Sequence, residues 1–227
     1  MTKTLSLMAT ATALAALLGL APGAAAATPE TSAPAAVAPA PHLIKGFRSA
    51  AFGMTEAEVK ATIARDFKPA AGALTASDNP VEKTHAIALH LAALEPAPGA
   101  VNISYIFGTT THRLIHVDVV WSSGPTPTDT ERLQMAAAST RLAAYFHGLA
   151  WQRGATTSSV APDGAYAIVF AGVDPKDAAV EVRVSGVEIR RTNRAPTVPA
   201  GPAVLRVAYY ATTGKPDTAS AVRTGNF

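Results

Sequence analysis

The sequence predicts an α+β domain in which an antiparallel sheet carries two main helices. Two segments begin with residues that cap helices, and six others alternate apolar and polar residues, as the strands of a half-covered sheet do. The order is helix, three strands, helix, three strands. It fits two related halves, 46–124 and 125–211, or one continuous sheet with both helices on one face. A duplication would require the two halves to align, and VNISYIFGTT aligns only weakly with LRVAYYATTG.

The first 27 residues, 1–27, are typical of a secretory signal peptide. Lys3 precedes the apolar run LSLMATATALAALLGLAPG, and the small residues AAAA at 24–27 offer a cleavage site. The alternative is a retained membrane anchor. However, the run contains threonines, ends in Pro22-Gly23 and falls short of the roughly 20 apolar residues of a spanning helix. We therefore expect a cleaved signal, a periplasmic or secreted protein, and no stable membrane insertion afterwards.

Composition narrows the classes of function. The chain of 227 residues has no cysteine, which excludes thiol catalysis, cysteine-based metal sites and the lipidated cysteine of bacterial lipoproteins. The formal net charge is +3 and loses one unit with the signal peptide, an excess too small to predict a nucleic-acid-binding surface. With 48% hydrophobic residues, the chain can form a core without disulfides.

The domain is predicted to lie between two less structured segments. Residues 28–45 begin TPETSAPAAVAPAPH, and this mixture of alanine and proline predicts a disordered, extended linker. Residues 212–227 lack periodicity and are predicted to be a flexible tail. The range 46–211 remains as a single globular domain.

The stretch FGMTEAEVKATI predicts the beginning of the first helix. Thr55 can accept a hydrogen bond from the backbone of Glu58, and the Glu58 side chain can reach back to the amide of Thr55, which together form a capping box. An apolar stripe follows at Val59, Ile63 and Phe67. A proline then ends the helix.

A second helix and six strands complete the prediction. Thr128 or Asp129 can cap the second helix, which is expected to end near Gly148. Its apolar positions are Leu133, Met135, Leu142, Tyr145 and Phe146. The strands are predicted at 84–94, 101–107, 114–121, 166–172, 178–191 and 203–211.

The stretch FGMTEAEV resembles the helix opener of small bacterial envelope proteins. These are the outer-membrane assembly lipoproteins of the SmpA/OmlA (BamE) type and the related β-lactamase-inhibitor-like proteins. FRSAAFGMTEAEVKATIARDF, ISYIFG and RLIHVDVVW also resemble uncharacterised secreted proteins of alphaproteobacteria. The first resemblance implies helices on an antiparallel sheet and the binding of another envelope protein, whereas the second implies no activity. The chain departs from the lipoprotein pattern because it has no lipobox cysteine, and ARDFKPA stands where that pattern has a Gly-Pro turn.

The polar positions of the first three strands contain the best candidates for catalysis. His116 and Asp118 are two residues apart and therefore share one face of a strand. His90 occupies the same face of an earlier strand, with Asn102 and Ser104 on the strand between them. A Ser/His/Asp arrangement could be assembled from these residues. The alternative is an ordinary polar sheet face, because no Gly-x-Ser-x-Gly turn activates the serine.

Two further motifs suggest binding sites. His112 and His116 have a metal-site spacing, but on a strand it places them roughly 13 Å apart, so we expect no metal site and no cofactor. Arg190, Arg191 and Arg194 could bind a phosphate or carboxylate, or form a solvated hairpin end.

Five aromatic residues could line a groove for a sugar or peptide, or pack in the core. They are Tyr105, Trp121, Trp151, Tyr209 and Tyr210. Three hypotheses about function follow. The first is a non-catalytic binding or structural module of the bacterial cell envelope, whose partner is an envelope protein. The second is a hydrolase centred on His116, Asp118 and His90, and the third is a small-ligand carrier with a pocket between the helices and the sheet.

Overall fold

The computed structural model describes residues 40–189 and 199–219, which belong to one compact unit. The predicted signal peptide 1–27 and the arginines Arg190, Arg191 and Arg194 lie outside the described residues. None of the helices in the described residues is both long and apolar enough to cross a membrane.

The described residues form two helices and ten strands. The helices are α1 (Glu56–Phe67) and α2 (Asp129–His147). The first six strands are β1 (Gly46–Phe47), β2 (Ala50–Ala51), β3 (Leu74–Asn79), β4 (Thr84–Leu91), β5 (Ala100–Phe107) and β6 (Leu114–Ser122). The last four are β7 (Thr156–Val160), β8 (Tyr166–Val173), β9 (Ala179–Ser185) and β10 (Val204–Tyr210).

Eight of these strands form one antiparallel sheet, which confirms the predicted α+β fold with helices packed on a sheet. The strand order is β3-β4-β5-β6-β10-β9-β8-β7, and β1 pairs with β2 separately. Each predicted half therefore contributes one helix and four strands to this sheet, where three strands were predicted, and the two sets of strands meet where β6 pairs with β10. The aligned stretches VNISYIFGTT and LRVAYYATTG begin in β5 and β10, and these strands hold different places in their sets of four, so the topology does not support this alignment.

Both helices begin at a capping box. Thr55 accepts a hydrogen bond from the Glu58 amide at 3.3 Å, and the Glu58 carboxylate accepts one from the Thr55 amide at 2.7 Å, which confirms the predicted start of α1. Thr128 and Glu131 repeat this arrangement at 3.2 and 2.8 Å, so Thr128 caps α2. These bonds satisfy amides that have no partner within the helix.

The core lies between the helices and one face of the eight-stranded sheet. Val59 and Ile63 of α1 and Met135 and Phe146 of α2 are buried against alternate strand residues such as Val182. The predicted apolar positions of α2 were wrong in part. Leu133 and Tyr145 are exposed, and the buried face of this helix includes alanine and serine instead.

Strands β3 and β7 are the two edges of the sheet, and the sequence did not predict them. Their sequences, LTASDN and TTSSV, are short, mostly polar and mostly exposed. Among the described residues, each has a neighbouring strand on one side alone and contributes little to the core, so no apolar alternation marks it.

Both ends of the described domain extend beyond the predicted range 46–211. The Ile44 amide donates to the Asp174 carboxylate at 2.8 Å, and Ile44 is buried. At the other end, residues 212–219, predicted as part of a flexible tail, are hydrogen bonded to the hairpin turns. Asp217 accepts from the amides of Thr110 at 3.0 Å and Thr111 at 2.8 Å. Hydrogen bonds to its carboxylate lower the pKa of Asp217 to about 2, and the bond from the Thr111 hydroxyl has the largest effect.

Candidate functional site

The face of the eight-stranded sheet opposite the helices, here called the open face, carries the polar members of the alternating pattern. Residues paired across neighbouring strands point to the same side of a sheet. The pairs Ser104–Asp118, Asp118–Ala208 and Ala208–Glu181 therefore form one row across β5, β6, β10 and β9. The core residues alternate with these positions and point toward the helices.

Four charged side chains, here called the charged network, occupy the middle of the open face. The Nε atom of Arg206 donates a hydrogen bond to Asp118 Oδ1 at 2.8 Å, and the Nη2 atom of Arg206 lies 2.7 Å from the same oxygen. The Nη1 atom of Arg206 lies 3.7 Å from Glu181 Oε1, which in turn lies 2.9 Å from Arg183 Nη2. Two acids thus alternate with two bases, and the network carries no net charge.

Aromatic rings border the charged network. The His116 and Tyr210 rings stack with centroids 4.4 Å apart, and the Tyr210 hydroxyl accepts from Arg206 at 3.2 Å. The Arg183 guanidinium lies 4.4 Å from the centroid of the Tyr166 ring, a cation–π distance. These contacts fix side chains that would otherwise sample many rotamers.

Because the charged network is partly buried, the attractions between its opposite charges are stronger than those between fully exposed charges. The side chains of Asp118 and Glu181 are each 20% exposed, and that of Arg206 is 25% exposed. Burial alone would raise the pKa of Asp118, but contacts with His116 and Arg206 outweigh it and hold the pKa below its ordinary value. Asp118 is therefore ionised at neutral pH.

The predicted catalytic residues share the open face but do not converge. His116 Nε2 lies 3.2 Å from Asp118 Oδ1, and Ser104 pairs with Asp118 on the next strand. The Ser104 hydroxyl accepts from Asn102 at 3.3 Å and makes no hydrogen bond to His116 in the described structure. A nucleophile and a general base need such a contact.

His90 lies well away from the other candidates. It pairs with Asn102, which pairs with Val120, four residues beyond His116 on β6. Two strand spacings and four residues along a strand separate His90 from His116 by roughly 16 Å. The structure thus brings together His116 and Asp118, places Ser104 beside them and leaves His90 apart.

Sequence reasoning missed three members of the charged network. Arg206, Glu181 and Arg183 are single charged residues inside the otherwise apolar strands LRVAYY and AVEVRVS. A charge at an alternating position of a strand is the signal that could have found them. Their pairing with Asp118 could not be read from the sequence, because Arg206 and Asp118 are 88 residues apart and meet only through the β6–β10 pairing.

Within the described residues, no group of three or more His, Asp or Glu side chains could hold a metal ion. His112 lies in the turn between β5 and β6 with φ of 51°, not on a strand.

A second candidate site lies on the helix side of the sheet. Here a cavity of about 340 Å³, called the aromatic groove, separates the segment before α1 from the end of α2. It is lined by His42, Leu43, Ile44, Lys45, Gly46, Phe47, Arg48, Tyr145, Phe146 and Tyr209. Of the aromatic residues considered from the sequence, Tyr209 lines this groove and Tyr210 lies on the open face. Tyr105 and Trp121 are buried in the core, and Trp151 packs on Phe170.

Comparison with known proteins identifies no relative of the chain. No family model matches the chain, and neither a curated protein nor a solved structure is significantly similar to it.

Proposed function

We propose that this chain is a secreted or periplasmic, non-catalytic binding module of the bacterial cell envelope, and that the open face binds an envelope protein. The observation that carries the proposal is the charged network, held in fixed ion pairs on a sheet face that neither helix covers. Arginine and tyrosine are enriched where protein interfaces derive most of their energy. Arg183, Arg206, Tyr166 and Tyr210 supply four such side chains on one face.

The composition around the network also supports protein binding. Small residues flank it on both sides, with Ala86 and Ala88 on β4 and Ala171 and Ala179 on β8 and β9. Small side chains allow the backbone of a partner to approach closely. Because the network is electrically neutral, it favours specificity and register in a docked complex over long-range attraction of a charged partner.

A hydrolase centred on His116 and Asp118 has less support. Catalysis would need a nucleophile within hydrogen-bonding distance of the histidine. Instead, Asp118 is engaged by Arg206, and the His116 ring is stacked on Tyr210.

The proposal predicts that Ala88→Arg abolishes capture of the partner from the envelope fraction. Ala88 lies on the open face beside Ser104 and Thr75, where a long cationic side chain would block close approach. The matched control is Ala61→Arg, which makes the same change on an exposed position of α1. Quantitative mass spectrometry of material captured by tagged wild type and both variants measures the effect.

We expect one protein that is enriched at least tenfold by wild type and by Ala61→Arg, and not by Ala88→Arg. Equal enrichment by all three proteins would refute binding through the open face. Circular dichroism and thermal unfolding of both variants establish that each is folded.

A further inference from the structure

We propose that the aromatic groove binds a small amphipathic carboxylate, with an aromatic or fatty body against the rings and the carboxylate against Lys45 and Arg48. This site lies on the helix side of the sheet and is independent of the open face. Its volume of about 340 Å³ falls in the range of small-molecule sites.

The walls of the groove are aromatic. Phe47 lies 5.6 Å from Tyr209 between ring centroids, and Phe146 lies 6.4 Å from Tyr209 on the other side. Tyr145 extends the wall, with its ring 5.1 Å from that of Phe146 and its side chain largely exposed. An exposed tyrosine that continues a buried aromatic cluster offers an apolar surface for the body of a ligand.

The charges along the groove are all positive or neutral. Lys45, Arg48 and His42 line it, and none of the described acidic residues does. Neither Lys45 nor Arg48 forms an ion pair with any described residue, although most other cations of the sheet and helices do. The Arg48 guanidinium lies 4.5 Å from the centroid of the Phe67 ring, a stacked position that leaves its N–H edge available to an anion.

Tyr209 provides a hydrogen-bond donor inside the groove. Its side chain is partly buried among Phe47 and Phe146, and its hydroxyl makes no hydrogen bond to a described residue. Burial, and to a lesser degree Tyr145, raises the pKa of Tyr209, so the hydroxyl stays protonated at neutral pH. A tyrosine hydroxyl that lines the groove and has no partner among the described residues can donate a hydrogen bond to a carboxylate oxygen.

Titration calorimetry with two probes, 2-naphthoate and decanoate, tests the proposal on the purified protein. We expect at least one acid to bind, and 2-naphthamide or decanol of the same size to bind at least tenfold more weakly. Binding of 2-naphthoate alone would indicate an aromatic ligand, and binding of decanoate alone would indicate a fatty acid. Binding of both would indicate a site that accepts either kind of carboxylate. If neither acid binds at millimolar concentration, or if the neutral analogues bind equally well, the proposal is wrong.

Variants locate the site. Lys45→Gln combined with Arg48→Gln is expected to weaken binding of the acid at least tenfold, and Tyr209→Phe about threefold to tenfold. The matched control combines Lys60→Gln with Arg113→Gln, which removes two exposed cations outside the groove. This variant should bind the acid as tightly as wild type does. Unchanged binding in the groove variants would overturn the assignment. Ala88→Arg should leave acid binding intact, so the failure of this proposal is distinguishable from that of the open face.

Discussion

Phe170→Ala is expected to lower the free energy of unfolding by about 3–5 kcal/mol, the range for removing a buried phenylalanine ring. Phe170 is fully buried on β8, and its ring centroid lies 5.4 Å from Phe146, 4.8 Å from His147 and 5.4 Å from Trp151. Its loss would leave a cavity where α2 meets the sheet. Urea denaturation monitored by tryptophan fluorescence measures the change.

The surroundings of Phe170 limit how far this cavity can collapse. Gly172 has no side chain, and a Cβ there would lie 2.9 Å from the Phe170 ring and 2.8 Å from Trp151. The backbone is therefore already close to both rings. Leu133→Ala on α2 is the control, because Leu133 is 71% exposed and its truncation should cost less than about 0.5 kcal/mol. A loss below about 1 kcal/mol for Phe170→Ala would contradict the packing described.

Arg206→Met is expected to lower the free energy of unfolding by roughly 2 kcal/mol at neutral pH. The substitution keeps much of the aliphatic chain but leaves Asp118 and Glu181 partly buried, with less compensation for their charges. Full burial would cost more, and the remaining exposure reduces the penalty. Arg113→Met is the matched control, because Arg113 is half exposed and lies 4.0 Å from Glu58, so its loss should cost almost nothing.

The effect of Arg206→Met should depend on pH. The pKa of Asp118 is lowered in the folded protein, so its ionisation stabilises the fold above the ordinary value near 3.8. This contribution disappears as the pH falls through the lowered folded pKa. The difference between wild type and Arg206→Met should therefore be largest at neutral pH and shrink below about pH 4. Equal losses for Arg206→Met and Arg113→Met, or a difference that does not shrink in acid, would contradict an ionic role.

The elements that sequence reasoning found are those with a local signal. Thr55 and Glu58 lie three residues apart, so the start of α1 could be predicted from one turn of chain. The strands β5 and β6 alternate buried and more exposed residues along most of their length, because one face of each packs in the core. The edge strands β3 and β7 each pair with the next strand in the chain, but their polar and mostly exposed sequences show no apolar alternation. The contact of Asp217 with Thr111 joins residues 106 positions apart, and no local pattern encodes it.

The candidate sites were predicted less completely than the fold. His116 and Asp118 could be placed together because they are two residues apart on one strand. Arg206 and Glu181 reach them through strand pairing that the sequence does not specify, so the charged network emerged only with the topology. The aromatic groove combines the segment near Lys45 with Tyr145 and Tyr209, three regions separated by many residues.

Site-specific photo-crosslinking in intact cells tests the central claim most directly. A photoreactive amino acid is placed at His90 or Asn102, both exposed on the open face, and at Ala61 on α1 as the control. Our account predicts the same covalent adduct from both open-face positions, none from Ala61, and its loss when Ala88→Arg is added. Adducts of equal yield from Ala61, or none from either open-face position, would contradict the proposal that the open face binds a partner.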